Sequence, residues 1–409
     1  MKHRVTSMAH AGALALLAAP AWAGEWDVGA SVAGELRLFP GDPLYPAQLD
    51  AVQPSATIEP DIRWQSVDRR HQAVVIPFVR VDAQDAARTH GDIREAYYRY
   101  SGDHWSVLVG LAKVFWGKAE SRHLVDIINQ DDAVEDIDGE DKLGQPMIQA
   151  SLRGDWGRVE FFVLPGFRER TFPGEAGRLR TDPPVSKERE IFEAPAGRAH
   201  VDFAARYSHY VGDVDIGLSV FRGTSREPRF LVEPGGSEFI PIYDQITQFG
   251  ADIQYTKGAW LWKFEGAVRD GRGDTFFASV AGFEYTLYQV LGSADLGLLA
   301  EHLYDGRDED IAPFAGGFAS AAPLTPFDND VFIGARLAFN DAQDASLLAG
   351  AVIDLADATT AMSIEAERRI GANWTIEIES RLFFNADAAN PFAFFRRDDF
   401  ATLRLTRYF

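Results

Sequence analysis

Cysteine is absent from the 409 residues. Disulfides and thiolate chemistry are therefore excluded, and stability must come from hydrogen bonding and burial. Long apolar runs are also missing: beyond residue 23 none reaches 18 residues, which excludes a helical membrane anchor. Basic charge is scarce, with 40 Lys and Arg against 61 Asp and Glu and a net charge of −21. Nucleic acid is excluded as a partner, because its phosphates would be repelled.

What the chain does have is apolar residues in a dispersed form: 46% are hydrophobic and 12% aromatic, and beyond the start they recur at every second position. The exception is the amino terminus. There Lys2, His3 and Arg4 precede an apolar stretch over 11–19 and the small-x-small triplet Ala21, Trp22, Ala23, the pattern of a cleavable export leader over 1–23. Residues 24–409 then read as one domain.

A strand has a side-chain period of two, so alternation marks one apolar and one polar face. Over 26–39, Val28, Ala30, Val32, Leu36 and Leu38 oppose Ser31, Glu35 and Arg37. Over 374–385, Ile376, Ile378, Leu382 and Phe384 oppose Thr375, Glu377, Glu379 and Arg381. The same test yields eighteen strands, with sixteen as the alternative count. Segment 104–112 is uniformly apolar, and its facing is undetermined by pattern.

Links after even-numbered strands are all short and rich in Gly, Asp and Asn: 66–70, 102–103, 155–156, 212–213, 258–259, 291–293, 341–344 and 371–373. Links after odd-numbered strands include every long one: 40–53, 113–145, 167–197, 224–243, 305–329 and 386–398. A soluble sandwich has no reason to sort its loops this way, whereas a transmembrane antiparallel up-and-down β-barrel with short periplasmic turns and long extracellular loops does. In hydrocarbon every backbone N–H and C=O needs an internal partner, and closing the sheet removes its edges. Tyr98, Tyr100, Trp105, Trp260, Trp374 and Tyr408 fall near turn ends, where aromatic girdles sit. No plug domain precedes the first strand, which weighs against a TonB-dependent receptor.

The tail Phe400 to Phe409 alternates to its end, with Leu403, Leu405 and Phe409 on one parity and Arg404 and Thr406 on the other. It resembles the closing strand of bacterial outer-membrane barrels. That resemblance implies a Gram-negative outer-membrane location, a lipid and lipopolysaccharide environment, and delivery to the barrel assembly machinery through Phe409. A homo-trimer is one assembly such a barrel can adopt, although parity alone reveals no flat apolar belt.

On the polar parity fall Arg37, Arg63, Arg80, Arg99, Arg158, Arg206, Lys263, Arg336, Arg381 and Arg404, with Glu95, Glu160, Glu377 and Glu379. One Arg or Lys facing lipid at midplane costs about 2–4 kcal/mol. These side chains are therefore expected to line a wet lumen, where a slight acidic surplus gives a weak cation preference.

The insertion 113–145 is the main candidate for function. Trp116-Gly117 opens it, an apolar patch of Leu124, Val125, Ile127 and Ile128 follows, and Asp131, Asp132, Glu135, Asp136, Asp138, Glu140 and Asp141 come next. The apolar part is expected against the barrel wall and the acids in the pore, as a constriction. The alternative is an external cap with an acidic rim. Around Trp116, Asp126, Asn129 and Asp132 the sequence resembles an uncharacterised family of porin-like Gram-negative outer-membrane proteins. The resemblance implies a channel without naming a solute. Asp136-x-Asp138-Gly139 fails the EF-hand pattern because Val134 would be the first ligand. No metal or cofactor is expected, a divalent-cation site of another kind among these acids being the alternative.

The leading function is passive diffusion of small hydrophilic solutes. The alternatives are a rim enzyme and a closed structural or adhesin barrel. The enzyme would use His90, His123, His200 or His302, with Asp202 or Asp305 as partner, but none of these has a recognisable nucleophile motif.

Overall fold

The computed structural model describes residues 24–232, 235–271, 273–307, 311–314, 317–320, 322–388 and 390–409. The expected export leader over 1–23 lies outside the described residues.

Eighteen antiparallel strands form the wall. They are β1 (Gly24–Leu38), β2 (Val52–Ser66), β3 (His71–Asp82), β4 (His90–Ser101), β5 (Trp105–Ala112) and β6 (Gln145–Gly154). Next come β7 (Gly157–Pro165), β8 (Val201–Val211), β9 (Val214–Thr224), β10 (Gln245–Lys257), β11 (Trp260–Asp270) and β12 (Phe276–Leu291). The circuit is completed by β13 (Ala294–Asp305), β14 (Asn329–Ala338), β15 (Ser346–Asp354), β16 (Thr360–Ile370), β17 (Trp374–Phe384) and β18 (Phe400–Tyr408). Each pairs with its chain neighbours, and β18 pairs back onto β1 from Ser31↔Tyr408 to Leu38↔Ala401. The sheet is closed, so its ladder has no free edge.

The register carries one parity around the whole circuit. Glu35 faces Ser55 on β2 and Arg404 on β18; Arg206 faces Glu160 and Ser219; Arg336 faces Gly297 and Leu348. The opposite parity carries Val28, Ile58, Val79, Val109, Ile148, Phe161, Leu218, Phe249, Trp262, Phe283, Leu298, Ile333, Ile378 and Leu403. Most of these are among the exposed large hydrophobics of the chain. An apolar outer belt of this extent is stable only against lipid. Among the described residues no helix is long and apolar enough to cross a membrane, and the strands are what cross it.

At the short-turn end Tyr98, Trp105, Trp260 and Trp374 are exposed on the outer parity, and Tyr100 packs on Trp105 at 5.2 Å. Tyr408 departs from the girdle expectation. Its partner Ser31 has inner parity, so it belongs to the lumen mouth, while Phe409 donates its N–H to Ala30 O at 3.0 Å and stays exposed.

The long loops gather at the opposite end, and they are more ordered than alternation suggests. Short strands at Ile191–Phe192, Arg229–Val232, Phe239–Tyr243, Ile311–Phe314 and Gly317–Ser320 join into a second, five-stranded sheet. Arg178 is fully buried and ties three loops together, pairing with Asp398 at 2.8 Å and donating to Gly41 O at 2.9 Å and to Asp50 O. Burial pushes the Asp398 carboxyl up to about 6 against the pull of Arg178.

Candidate functional site: the in-folded loop and its vestibule

Residues 113–144 enter the barrel and cross it. Trp116, Val125, Ile127 and Ile128 bury against inward side chains: Leu108 and Ala112 on β5, Met147 on β6, Phe162 and Leu164 on β7, Ala204 on β8, Phe221 on β9 and Ile246 on β10. Ala119 and Leu124 continue the contact onto Ala267, Val280, Leu299, Leu303 and Phe332 of β11 to β14. Burying each large side chain is worth about 1.5–3 kcal/mol. The uniform hydrophobicity of β5 is explained here: Val107 and Val109 face outward, and Leu108 and Ala112 form the seat of the loop.

Carboxylates of the wall hold the backbone of the loop. Glu265 Oε1 accepts from the amides of Lys118 at 2.6 Å and Ala119 at 2.9 Å. Glu301 accepts from Glu120 and Ser121 N–H, both at 2.8 Å. Gly117 has φ +150, and a Cβ there would lie 2.9 Å from Glu265 Oε1, so the approach needs glycine. Asn129 closes the neck, accepting from Val114 N–H at 2.8 Å and donating to Ala112 O at 2.9 Å and Leu143 O at 2.8 Å. Asp126 accepts from Trp116 N–H at 3.2 Å and meets Lys142 at 3.3 Å; burial raises its carboxyl above the usual range.

The second half of the loop docks by charge. Asp132 takes Arg94 at 2.5 Å and Thr171 Oγ1 at 2.6 Å. Burial opposes ionisation there, yet His90, Arg94 and Thr171 hold its carboxyl below the ordinary range. Glu135 receives Arg80 in a two-pronged contact of 2.8 and 2.5 Å, and Asp136 receives Arg37 at 2.7 Å. Glu35 sits beneath them, contacted by Arg80 at 3.2 Å and by Arg88 and Arg404 at 2.7 Å each. Asp131 pairs with Lys142 at 2.5 Å and with Arg170.

Trp116, Asn129, Asp132, Glu135 and Asp136 are thus buried structural posts, and Asp126 has its carboxylate turned inward. This differs from the expectation that the acids project into a pore, because wall arginines claim them. Asp138, Glu140 and Asp141 remain exposed. Asp138 reaches Arg381 at 2.7 Å. Although Asp141 is open to the lumen water, its enclosure within the bore and the nearby carboxylates of Glu135, Asp138 and Asp136 push its carboxyl up to about 7.

Of the other inner-parity residues, Arg206 pairs with Asp252 at 2.8 Å, while Lys263 and Arg336 reach Glu120 at 3.4 and 2.5 Å. Glu379 meets Arg381 at 2.9 Å and Glu377 meets Arg404 at 3.8 Å. Nearer the short turns, Arg63 bonds Asp61 at 2.8 Å, Arg99 lies 5.3 Å over Tyr97 and Arg158 is 3.9 Å from Glu160. Glu95 accepts from Lys113 N–H at 3.1 Å.

The sequence reading missed Arg88, Arg94, Glu265 and Glu301 as anchors, and it missed the aromatic rings above the loop. Those rings belong to a cavity of about 500 Å³ on the long-loop side, walled by Phe327, Phe383, Phe392 and Phe395 together with Glu140 and Glu365. Apolar residues at inward positions were the available signal.

Two groups bring metal-type ligand atoms together, His90 with Asp132 and Glu135, and Asp136 with Asp138 and Glu379. Arg94, Arg80, Arg37 and Arg381 already supply positive charge to them. The histidines considered for a rim enzyme are dispersed. His200 bonds Asp202 at 2.8 Å, but Asp202 also takes Arg226 at 2.9 Å; His123 lies 3.7 Å from Glu265. His302 faces outward to Asn329 at 3.1 Å. Asp305 is on the opposite face with Arg122 and Arg307, so the pairing of His302 with Asp305 is corrected.

Protein-family models and curated proteins give no match to the sequence. Solved structures do share the fold. A BenF-like porin from Pseudomonas fluorescens Pf-5 superposes with TM-score 0.53 and 8% identity, over 94% of this chain and 98% of that one. Pseudomonas aeruginosa OpdQ gives 0.52 at 11% identity, over 94% and 98%. OccK3 (OpdO) of the same species gives 0.51 at 11%, over 94% and 95%. The architecture is therefore that of outer-membrane porins: a closed, transmembrane, eighteen-stranded barrel. At these identities the likeness is one of fold.

Proposed function

We propose that the chain is a porin-like channel of the Gram-negative outer membrane. In this reading it passes small hydrophilic solutes passively, prefers cations weakly, and is narrowed by residues 113–144. The observation that carries this is the loop itself, which is fastened to the inner wall on both sides of the lumen. A barrel with a purely structural role has no use for so many anchors inside its bore.

The cation preference is supported by Glu365, Glu367, Glu377 and Glu379. They share inner parity as cross-strand pairs on β16 and β17, beside the exposed Asp138, Glu140 and Asp141. The arginines that reach them are Arg381 and Arg404. The closing strand with Phe409 is the segment assigned to the assembly machinery, and a homo-trimer is the assembly this reading takes for the membrane.

Purified protein in planar bilayers should give discrete conductance steps in potassium chloride, with a reversal potential displaced modestly toward the cation. Silent membranes in the presence of correctly folded barrel would refute the channel.

A further inference from the structure

We infer that the vestibule above the in-folded loop is a binding site for organic cations with an apolar body, alkyl- or arylammonium ions. The inference rests on the channel reading and narrows its solutes. A route for small hydrophilic ions alone has no need of an aromatic chamber, yet the chamber is there. Phe392 lies 5.8 Å from Phe327 and 5.7 Å from Phe383, and Phe395 lies 5.9 Å from Phe383. The volume of about 500 Å³ falls within the range of sites that enclose one small organic molecule.

The sign of the ligand follows from which charges in the wall are already matched. Every arginine and lysine lining the cavity has a carboxylate within 3.3 Å. The acids are not all so served. Glu365 has Arg381 only at 3.9 Å and is 44% exposed, and Glu140 is exposed and makes no ion pair among the described residues. An entering anion would find each of these guanidinium groups already paired with a carboxylate, with Arg170 Nε and Arg226 Nη2 the unbonded nitrogens among them, both buried. An entering ammonium would find two carboxylates with charge to spare and, in the same cavity, ring faces that attract cations. The apolar body would then displace poorly held water from the phenylalanine wall.

The test uses titration calorimetry on the full chain in detergent, with benzyltrimethylammonium, tetramethylammonium and benzoate as probes. Benzyltrimethylammonium should bind, with the other two at least about fivefold weaker, the scale of one desolvated cation–ring contact. The double change Glu140→Gln with Glu365→Gln, and separately Phe392→Leu, should each weaken benzyltrimethylammonium about fivefold, heat-modifiable gel mobility confirming that each barrel is folded. Benzoate binding as tightly, no heat with the aryl cation, or substitutions without effect would overturn the site. Potassium conductance from the same preparation separates the two readings. Steps without aryl-cation binding sink this inference alone, and binding without steps sinks the channel alone.

Discussion

The two halves of the in-folded loop are fastened by different physics. Residues 116–128 lie on the β5 to β14 side, where apolar side chains meet an apolar seat, Glu265 and Glu301 hold the backbone, and Lys118, Glu120 and Arg122 add ion pairs with the wall. Residues 131–141 lie against β1 to β4 and β17, where almost every contact is an arginine with a carboxylate. Hydrophobic contact tolerates small shifts and is insensitive to salt, whereas a buried ion pair fixes geometry and leaves a costly orphan when one partner is lost. One half supplies adhesion and the other supplies register.

The largest effect should come from the charged half. Arg80→Ala leaves Glu135 and Glu35 buried with less compensation, a loss of about 3–5 kcal/mol. Amides at 131–141 should exchange hydrogen at least tenfold faster, while those at 124–129 change little. In the adhesive half, Ile128→Ala removes packing worth about 2–5 kcal/mol. It should produce the mirror pattern, with exchange raised first at 124–129. If both substitutions loosened the whole loop equally, the division into two halves would be wrong.

A smaller effect concerns protons. Enclosure in the bore and the neighbouring carboxylates push the Asp141 carboxyl up to about 7, above the carboxylate norm. A carboxyl raised on folding favours the docked loop while protonated, and that contribution is lost as pH rises through about 7. Lowering pH from 8 to 6 should therefore tighten the tip of the loop and reduce the cation-to-anion permeability ratio. Asp141→Asn should abolish that step, and a pH response unchanged by the substitution would assign it elsewhere. The smallest effect should be that of Arg63→Ala, since Arg63 and Asp61 form a solvated pair worth about 0–1 kcal/mol; thermal stability should hardly move.

This division also explains what could be read from the chain alone. Strands such as β17 were legible because polar and apolar residues alternate cleanly, and the sorting of loop lengths gave their direction. The patch at Leu124 to Ile128 announced a buried surface. The matching of Glu135 with Arg80, or of Asp136 with Arg37, was not legible, because it depends on register between strands and on where a 32-residue segment lands. Likewise β5 looked ambiguous because both of its faces are covered by apolar partners, lipid outside and loop inside. The five-stranded sheet of the outer loops is assembled from segments of two to five residues, too short for a period to show.

The central claim is that residues 113–144 narrow the bore. It is tested most directly by comparing single-channel conductance of the full chain with that of a variant in which 119–141 is replaced by a short Gly-Ser link, both verified as folded barrels. A severalfold rise in conductance with loss of cation preference is the predicted result. Equal conductance in the two proteins would contradict it.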